Sequence, residues 1–207
     1  MNTLSIINST IDHKSHYYVY DESKSTQVTI QGKLKASKYK RINVPLTDEI
    51  INSLLEGQQI IAVPTSSQGK TKQIIFDHDQ SYNLTRVLER IANLDITVVP
   101  SKTIGRAHIH LKVPEQSLHA AYWLAKRICI ERKLCVDVKP MDPANTDEDF
   151  QIITLPFYDY INHKDWYNLF INYTSIQELI QRIRGYGYDD RKRYLHDTVT
   201  NVMHEIF

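Results

Sequence analysis

The sequence predicts an α/β or α+β fold in which helices lie on the face of a sheet, and three observations carry that prediction. Apolar and polar residues alternate with period two in several short segments, as they do in half-buried strands. Other segments repeat apolar residues every three or four positions, as on one face of a helix. The two kinds of segment follow each other along the chain, which is typical of a layered domain of mixed class.

The predicted strands are short and separated by polar turns. Residues 17–31 alternate at period two and predict two strands around a turn at Asp21–Ser25. A turn with Gly69 and Lys70 precedes one strand, and no helix follows it, so the segment does not fit a nucleotide-binding loop. The remaining predicted strands are Gln59–Val63, Gln73–Asp79, Ile96–Val99, Ala107–Val113, Cys135–Val138 and Gln151–Leu155.

The predicted helices are marked by apolar stripes and by capping residues. Thr47 is the predicted start of a short helix that Gly57 ends. A second stripe covers residues 84–91, and a longer helix is predicted over residues 115–133. After Pro156 the chain is predicted to be helical. Thr174 is its predicted cap and Gly185 its predicted stop, and a last helix runs from near Asp189 to residue 207.

Composition limits the class of protein. The 207 residues include 42% hydrophobic residues and nearly equal numbers of basic (25) and acidic (24) residues, as in an ordinary globular protein of one domain or two joined modules. No apolar run reaches the roughly 20 residues of a membrane helix, and residues 1–8 lack the pattern of a signal peptide, so we expect a cytoplasmic protein. Cys129 and Cys135 are too few for a disulfide framework. A net charge of +1 argues against a broad electrostatic grip on nucleic acid but leaves room for a local one, and the 13 tyrosines could stack on bases.

Two aspartates on one strand are the first candidate for chemistry. Residues two apart on a strand point to the same face, so Asp77 and Asp79 can converge while Phe76 and His78 face the other way. Neighbouring carboxylates repel each other unless a proton or a divalent cation intervenes, and hard oxygen ligands favour Mg²⁺ or Mn²⁺. The alternative is a strand end whose acids only cap the next helix.

Two histidines and the loop before them are the second candidate. Alternation places His108 and His110 on one face of a strand, opposite a core face. They could bind a metal or a phosphate, or they could be the polar face of a half-exposed strand. The loop before them combines hydroxyls, bases and a glycine, which suits either an anionic triphosphate or a plain surface loop. Its candidate binding residues are Ser101, Lys102, Thr103 and Arg106.

A third acid and the order of all these pieces carry a resemblance to a family. Asp137 lies in Val-Asp-Val-Lys-Pro, and Ile152-Ile-Thr-Leu-Pro156 follows it. Together with Asp77-His-Asp79 and the loop that leads to His108, this order resembles the catalytic domain of the archaeo-eukaryotic primase superfamily, the primase-polymerases. The resemblance covers roughly residues 55–160.

The resemblance implies a primase-polymerase fold, with an N-terminal αβ module, an RRM-like catalytic sheet and a C-terminal helical extension. It implies a catalytic domain over residues 1–160 and the extension over residues 161–207. Asp77, Asp79 and Asp137 would be catalytic and would hold two ions of Mg²⁺ or Mn²⁺. His108 would contact nucleotide phosphates with the loop residues, and His110 would support the site.

The resemblance also implies nucleotidyl transfer from nucleoside triphosphates to a 3′ hydroxyl on a single-stranded DNA template. Without a helicase motor in the sequence, a separate helicase or replication protein is an expected partner, as in replication of a mobile element. A basic cluster is a candidate for gripping the template backbone, or else a lysine-protected edge strand. Its members are Lys33, Lys35, Lys38, Lys40 and Arg41. Two alternatives stay open: a metal-dependent nuclease or phosphohydrolase that uses His108 and His110 as metal ligands with Asp77 and Asp79, and a non-catalytic nucleic-acid-binding module.

Overall fold

The protein is a mixed α+β structure whose strands form two four-stranded antiparallel sheets and one short pair. A computed structural model describes residues 3–21, 38–79, 84–144 and 151–187, together with the backbone of residues 27–28 and 34–35. The strands are β1 (Tyr17–Tyr20), β2 (Gln27–Val28), β3 (Leu34–Lys35), β4 (Tyr39–Ile42), β5 (Ile61–Pro64), β6 (Lys70–His78), β7 (Ile96–Pro100), β8 (Ala107–Ser117), β9 (Asp137–Lys139) and β10 (Ile152–Thr154). The helices are α1 (Thr3–Thr10), α2 (Asp48–Leu55), α3 (Leu84–Ile91), α4 (Leu118–Arg132), α5 (Lys164–Asn168) and α6 (Ile176–Gly185).

The second sheet has the strand order β7-β8-β6-β9 and is built from the elements β6-α3-β7-β8-α4-β9. Strand β8 lies between β6 and β7, and β6 lies between β8 and β9, so the sheet consists of two interleaved split βαβ units. Helix α4 packs against β6, β8 and β9, and α3 packs against α6. One face of β6 carries Ile74 and Phe76, which are fully buried in the main core. The functional candidates lie on the opposite face.

The first sheet has the order β10-β5-β1-β4. Alternation on its strands directs Tyr17, Ile61 and Val63 into the main core, whereas Tyr18 and Ala62 belong to a small separate cluster. Cross-strand partners point to the same face, and Tyr18 lies opposite Arg41 while Tyr20 lies opposite Tyr39. We call the face with these four residues, Tyr18, Tyr20, Tyr39 and Arg41, the tyrosine face.

Between the sheets, the chain turns tightly from β5 into β6. Ser67 and Lys70 exchange both backbone hydrogen bonds, at 2.9 and 3.0 Å. The two residues between them have positive φ angles, 52° for Gln68 and 71° for Gly69, which is the backbone of a two-residue hairpin turn. The prediction that Gly69 and Lys70 belong to a turn before a strand is confirmed.

Most predicted elements are present with shifted ends. Helix α2 begins after Thr47 and ends before Gly57, as predicted. Strand β8 continues to Ser117, whose side chain caps α4 by accepting a hydrogen bond from the Ala120 backbone N–H, so α4 begins at Leu118 rather than at residue 115. The cap of α6 is Ser175 rather than Thr174.

Pairing differs from the chain order in ways that the sequence did not indicate. Strand β1 pairs with β4 and β5, and β2 pairs with β3. Strand β10 pairs with β5 in the first sheet rather than joining β9 in the second. Helix α1 was not predicted. The predicted last helix from Asp189 lies outside the described residues.

Candidate active site

Three candidate residues lie in one row across the second sheet. In the register of the strands, Asp77 on β6 is opposite His108 on β8 on one side and opposite Asp137 on β9 on the other. Residues directly opposite each other in an antiparallel pair point to the same face, with Cβ atoms about 4.5–5.5 Å apart. The fold therefore brings two aspartates and a histidine together that are separated by 29 to 60 positions in the sequence.

Asp79, the second acid of the motif, lies just beyond the end of β6 and faces solvent. Its carboxylate is 3.5 Å from Arg106 Nη1, and 55% of its side chain is exposed. Burial raises the pKa of Asp79, and the negative charges of Asp77 and Asp137 raise it further, against the attraction of Arg106. We call Asp77, Asp79 and Asp137 the carboxylate cluster.

Asp77 is the most strongly perturbed acid of the cluster. Burial is the main cause that raises its pKa from 3.8 to about 6; Asp137 adds to the increase, while Lys139 and Arg106 oppose it. Only 16% of the side chain is exposed. Among the described residues, Asp77 Oδ1 has no hydrogen-bond partner, and His108 Nε2 is 3.5 Å away, too far for a good hydrogen bond. A buried carboxylate oxygen in this state can accept a proton or bind a cation.

A lysine that was not among the predicted site residues lies beside the carboxylate cluster. Lys139 is opposite Ile75 on β6, so its side chain points to the same face as Asp77, two positions along the strand. Burial lowers the pKa of Lys139, while the three carboxylates raise it. Its ammonium contacts Met141 Sδ at 3.1 Å. The buried Gln151 side chain holds the Met141 backbone with two hydrogen bonds, at 2.8 Å to its N–H and 3.1 Å from its C=O.

Both histidines of β8 are buried, with 2% exposure for His108 and 5% for His110, so a half-exposed strand does not describe them. Burial lowers the pKa of His108 to about 4 and that of His110 to about 3. Both are therefore neutral at neutral pH. His110 Nδ1 lies 3.0 Å from Gln73 Oε1, an acceptor, so Nδ1 carries the proton. Within the described part of the chain, His108 Nδ1 and His110 Nε2 have no partner.

The loop before β8 is a closed turn beside the cluster. The Ser101 backbone N–H donates to the Arg106 carbonyl at 3.0 Å, and the Arg106 backbone N–H donates to the Thr103 carbonyl at 3.1 Å. Gly105 has a φ of 85°, which this turn requires. Ser101 is buried, whereas Lys102 and Thr103 are exposed.

The tyrosine face of the first sheet reaches the same site, and no local pattern in the sequence indicates this. Burial, with the charge of Asp77 as a further cause, raises the pKa of Tyr39 to about 12. Tyr39 and Tyr20 meet edge to face at 5.5 Å, and Lys102 Nζ lies 5.4 Å from the centre of the Tyr20 ring. The site therefore lies where the loop and the carboxylate cluster approach the end of the first sheet.

The predicted basic cluster does not form one patch in the described part of the chain. Lys38 and Lys40 are exposed, and alternation on β4 places Lys40 on the face opposite Arg41. Lys33 and the side chain of Lys35 lie outside the described residues. Of the three members that the structure describes, Arg41 alone is on the tyrosine face.

No protein-family model matches the chain, and no curated protein matches it. Within the described ranges, none of the helices has the length and apolar character that a membrane crossing requires. Nor do three or more histidine, cysteine, aspartate or glutamate side chains in those ranges form a group that could hold a metal ion.

Proposed function

We propose that the protein is a nucleotidyltransferase of the primase-polymerase type, which extends or initiates strands on single-stranded DNA from nucleoside triphosphates. The observation that carries the proposal is the row formed by Asp77, His108 and Asp137 on three adjacent strands, with Asp79 at its open end. Two split βαβ units, the arrangement of an RRM-like sheet, present this row. The order of motifs in the sequence supports the same assignment.

The carboxylate cluster suits divalent cations by its donor chemistry. Carboxylate oxygens are the ligands that Mg²⁺ and Mn²⁺ prefer, and Asp77 Oδ1 is a buried oxygen without a partner among the described residues. Mg²⁺ is commonly bound by one or two carboxylates, with substrate phosphates and water as its other ligands, so a complete set of protein ligands is not required. Bound there, the ions would activate the attacking 3′ hydroxyl and offset the charge of the triphosphate.

The residues around the carboxylate cluster differ in charge and exposure, and these differences suit them to different contacts with a nucleotide. Arg106, 39% exposed, and the exposed Lys102 can meet the phosphates of an incoming nucleotide. His108 is neutral and 3% exposed at its side chain, so it offers a hydrogen bond at the edge of Asp77 rather than a positive charge. Phosphoryl transfer depends mainly on positioning and charge neutralisation, which this set of side chains can supply.

The experiment is incubation with a primed single-stranded DNA template, labelled nucleoside triphosphates and Mn²⁺. We expect template-dependent elongation by the wild-type protein and by Asp95→Asn, which alters an exposed aspartate outside the cluster. Asp137→Asn should abolish elongation. Degradation of the DNA without elongation would instead support the hydrolase that uses His108 and His110. Retention of the DNA without any reaction would support a binding module, and either result would overturn the proposal.

A further inference from the structure

A cavity of about 300 Å³ lies at the far end of the tyrosine face. Its wall includes Tyr18 and Arg41 from that face, His13 and His16 from the segment before β1, and Ser66 and Ser67 from the turn between the sheets. None of the described residues that line it is acidic. The described residues of its wall therefore supply one permanent positive charge, two imidazoles and the hydroxyls of three serines and a tyrosine.

Ser66 gives this cavity a ligand-binding group that folding leaves unused. The residue is 4% exposed, and its Oγ has no hydrogen-bond partner among the described residues. A buried hydroxyl without a protein partner is unfavourable for folding, so this group in the cavity wall can hydrogen-bond a ligand or a water molecule. Its position is fixed by its neighbours. Thr65 donates its N–H and its Oγ1 hydroxyl to the Gln151 carbonyl, at 2.7 and 2.9 Å, and Ser67 is held in the hairpin turn.

Arg41 supplies the charge. Its Nε donates to Asn43 Oδ1 at 2.9 Å, which orients the guanidinium group on the tyrosine face. His16, which stacks edge to face on Tyr18 at 5.6 Å, is held by Ser15 Oγ at 3.1 Å from its Nδ1. A planar guanidinium beside hydroxyl and imidazole donors matches the oxygens of a phosphate group. Because β6 rather than a helix follows the turn, this is not a nucleotide-binding loop of the P-loop kind.

The tyrosine face connects the cavity to the carboxylate cluster. Tyr18 and Arg41 border the cavity, and the next pair on the same face, Tyr20 and Tyr39, lies about 7 Å further along the strands. Tyr20 contacts Lys102 of the loop, and Tyr39 lies within electrostatic range of Asp77. We propose that the cavity binds a backbone phosphate of a single-stranded nucleic acid whose path to the carboxylate cluster follows the accessible residues of the tyrosine face, Arg41 and Tyr20, because Tyr18 is only 4% exposed. This inference rests on the proposed function for the identity of the strand.

The test is binding of a fluorescent single-stranded oligodeoxythymidine, measured by anisotropy at several salt concentrations, with chelator present and without nucleotides. Ser66→Ala should weaken binding about ten-fold, the effect of one hydrogen bond to a charged group. Its unfolding midpoint should stay unchanged or rise, since an unpaired buried hydroxyl is removed. Arg41→Gln should weaken binding and reduce the slope of log K against log salt by about 0.7, the value for one phosphate contact on a single strand. The control is Arg127→Gln, which removes an exposed arginine from α4, and it should bind like the wild type.

The outcomes separate the two proposals. Equal binding by Ser66→Ala, Arg41→Gln and the control would overturn the phosphate site. Competition by inorganic phosphate that depends on Ser66, without any dependence of oligonucleotide binding on it, would mean a pocket for a free anion and would overturn the strand path. If both variants weaken binding as expected but no nucleotide is incorporated with Mn²⁺, the phosphate site stands and only the polymerase function fails.

Discussion

Replacement of Asp77 by asparagine should stabilise the metal-free protein and abolish its activity at the same time. The ionised side chain is held in a buried position, beside Asp137 and without a hydrogen bond to Oδ1 from the described residues. Asparagine has nearly the same shape and no charge. Removal of the charge removes the unfavourable free energy of its burial. It also removes the anionic carboxylate that would hold the metal ions in the proposed reaction.

The magnitude follows from the pKa of Asp77. An increase from 3.8 to about 6 is an increase of about two pKa units, which corresponds to about 3 kcal/mol at 1.36 kcal/mol per unit. The pKa of about 6 already includes the attraction of Lys139 and Arg106, which both lower the pKa of Asp77. A carboxyl group whose pKa is raised by folding stabilises the folded state below pH 4, and that contribution is lost as the pH rises through 6. At pH 8 the variant should be more stable by up to about 3 kcal/mol, or about 6–12 °C in Tm.

The assay is denaturant unfolding of wild type and Asp77→Asn at pH 4 and pH 8, with chelator present. We expect equal stabilities at pH 4 and the full difference at pH 8. In a second set of samples without chelator, Mn²⁺ at pH 8 should stabilise the wild type by about 2.7 kcal/mol at one hundred times its dissociation constant and should leave the variant unchanged. Asp95→Asn, at an exposed position, is the control and should behave like the wild type throughout.

One result would refute this reasoning. If Asp77→Asn is less stable than the wild type at pH 8, or if the difference between them does not depend on pH, burial does not oppose ionisation of Asp77. The carboxylate would then have a structural partner, and the argument for a cation site at this position would fail.

Three further substitutions test the surroundings of Asp77. Lys139→Met should raise the pKa of Asp77 above 6, because the cation that lowers it most is lost; side-chain carbon NMR across a pH titration measures this. Arg106→Gln should change the free energy of unfolding by less than about 1 kcal/mol, since its ion pair with Asp79 is largely exposed, yet raise the KM for nucleotide; denaturant titration and steady-state kinetics separate the two effects. His110→Asn should reduce the loss of stability on acidification, because a buried histidine with a pKa of about 3 stabilises the fold above pH 6.5 and loses that contribution as the pH falls. The free energies of unfolding at pH 7 and pH 4, measured by denaturant titration, should differ by about 3 kcal/mol less than in the wild type.

The sequence predicts the elements of this protein better than their arrangement. Alternation and capping depend on residues close together in the chain, so β6, β8, α2 and α3 could be located within a few residues. Pairing depends on contacts between distant segments. Nothing in the local pattern indicates that β10 joins β5 rather than lying in the sheet of β9.

The same limit applies to the site. Asp77, Asp79, His108 and Asp137 could be selected because each is a polar residue on or beside a predicted strand, and a shared face follows from period two. The row across three strands depends on the register of β6 with β8 and β9, which alternation does not fix. Burial of both histidines could not be predicted either, because it depends on what covers the polar face of β8.

Lys139 shows how the charges of the site relate to its proposed chemistry. Without bound ions, Lys139 and Arg106 oppose two of the three negative charges of the cluster. Burial lowers the pKa of the lysine and raises that of Asp77, so each charge is held in place largely by the other. Neither the ammonium of Lys139 nor the carboxylate of Asp77 is in a favourable environment without the other. With two cations beside three carboxylates, one negative charge of the cluster remains without a counter-charge. In the proposed reaction, divalent cations would arrive together with a triphosphate. Their positive charge could neutralise the remaining carboxylate charge while Lys139 keeps its position beside Asp77.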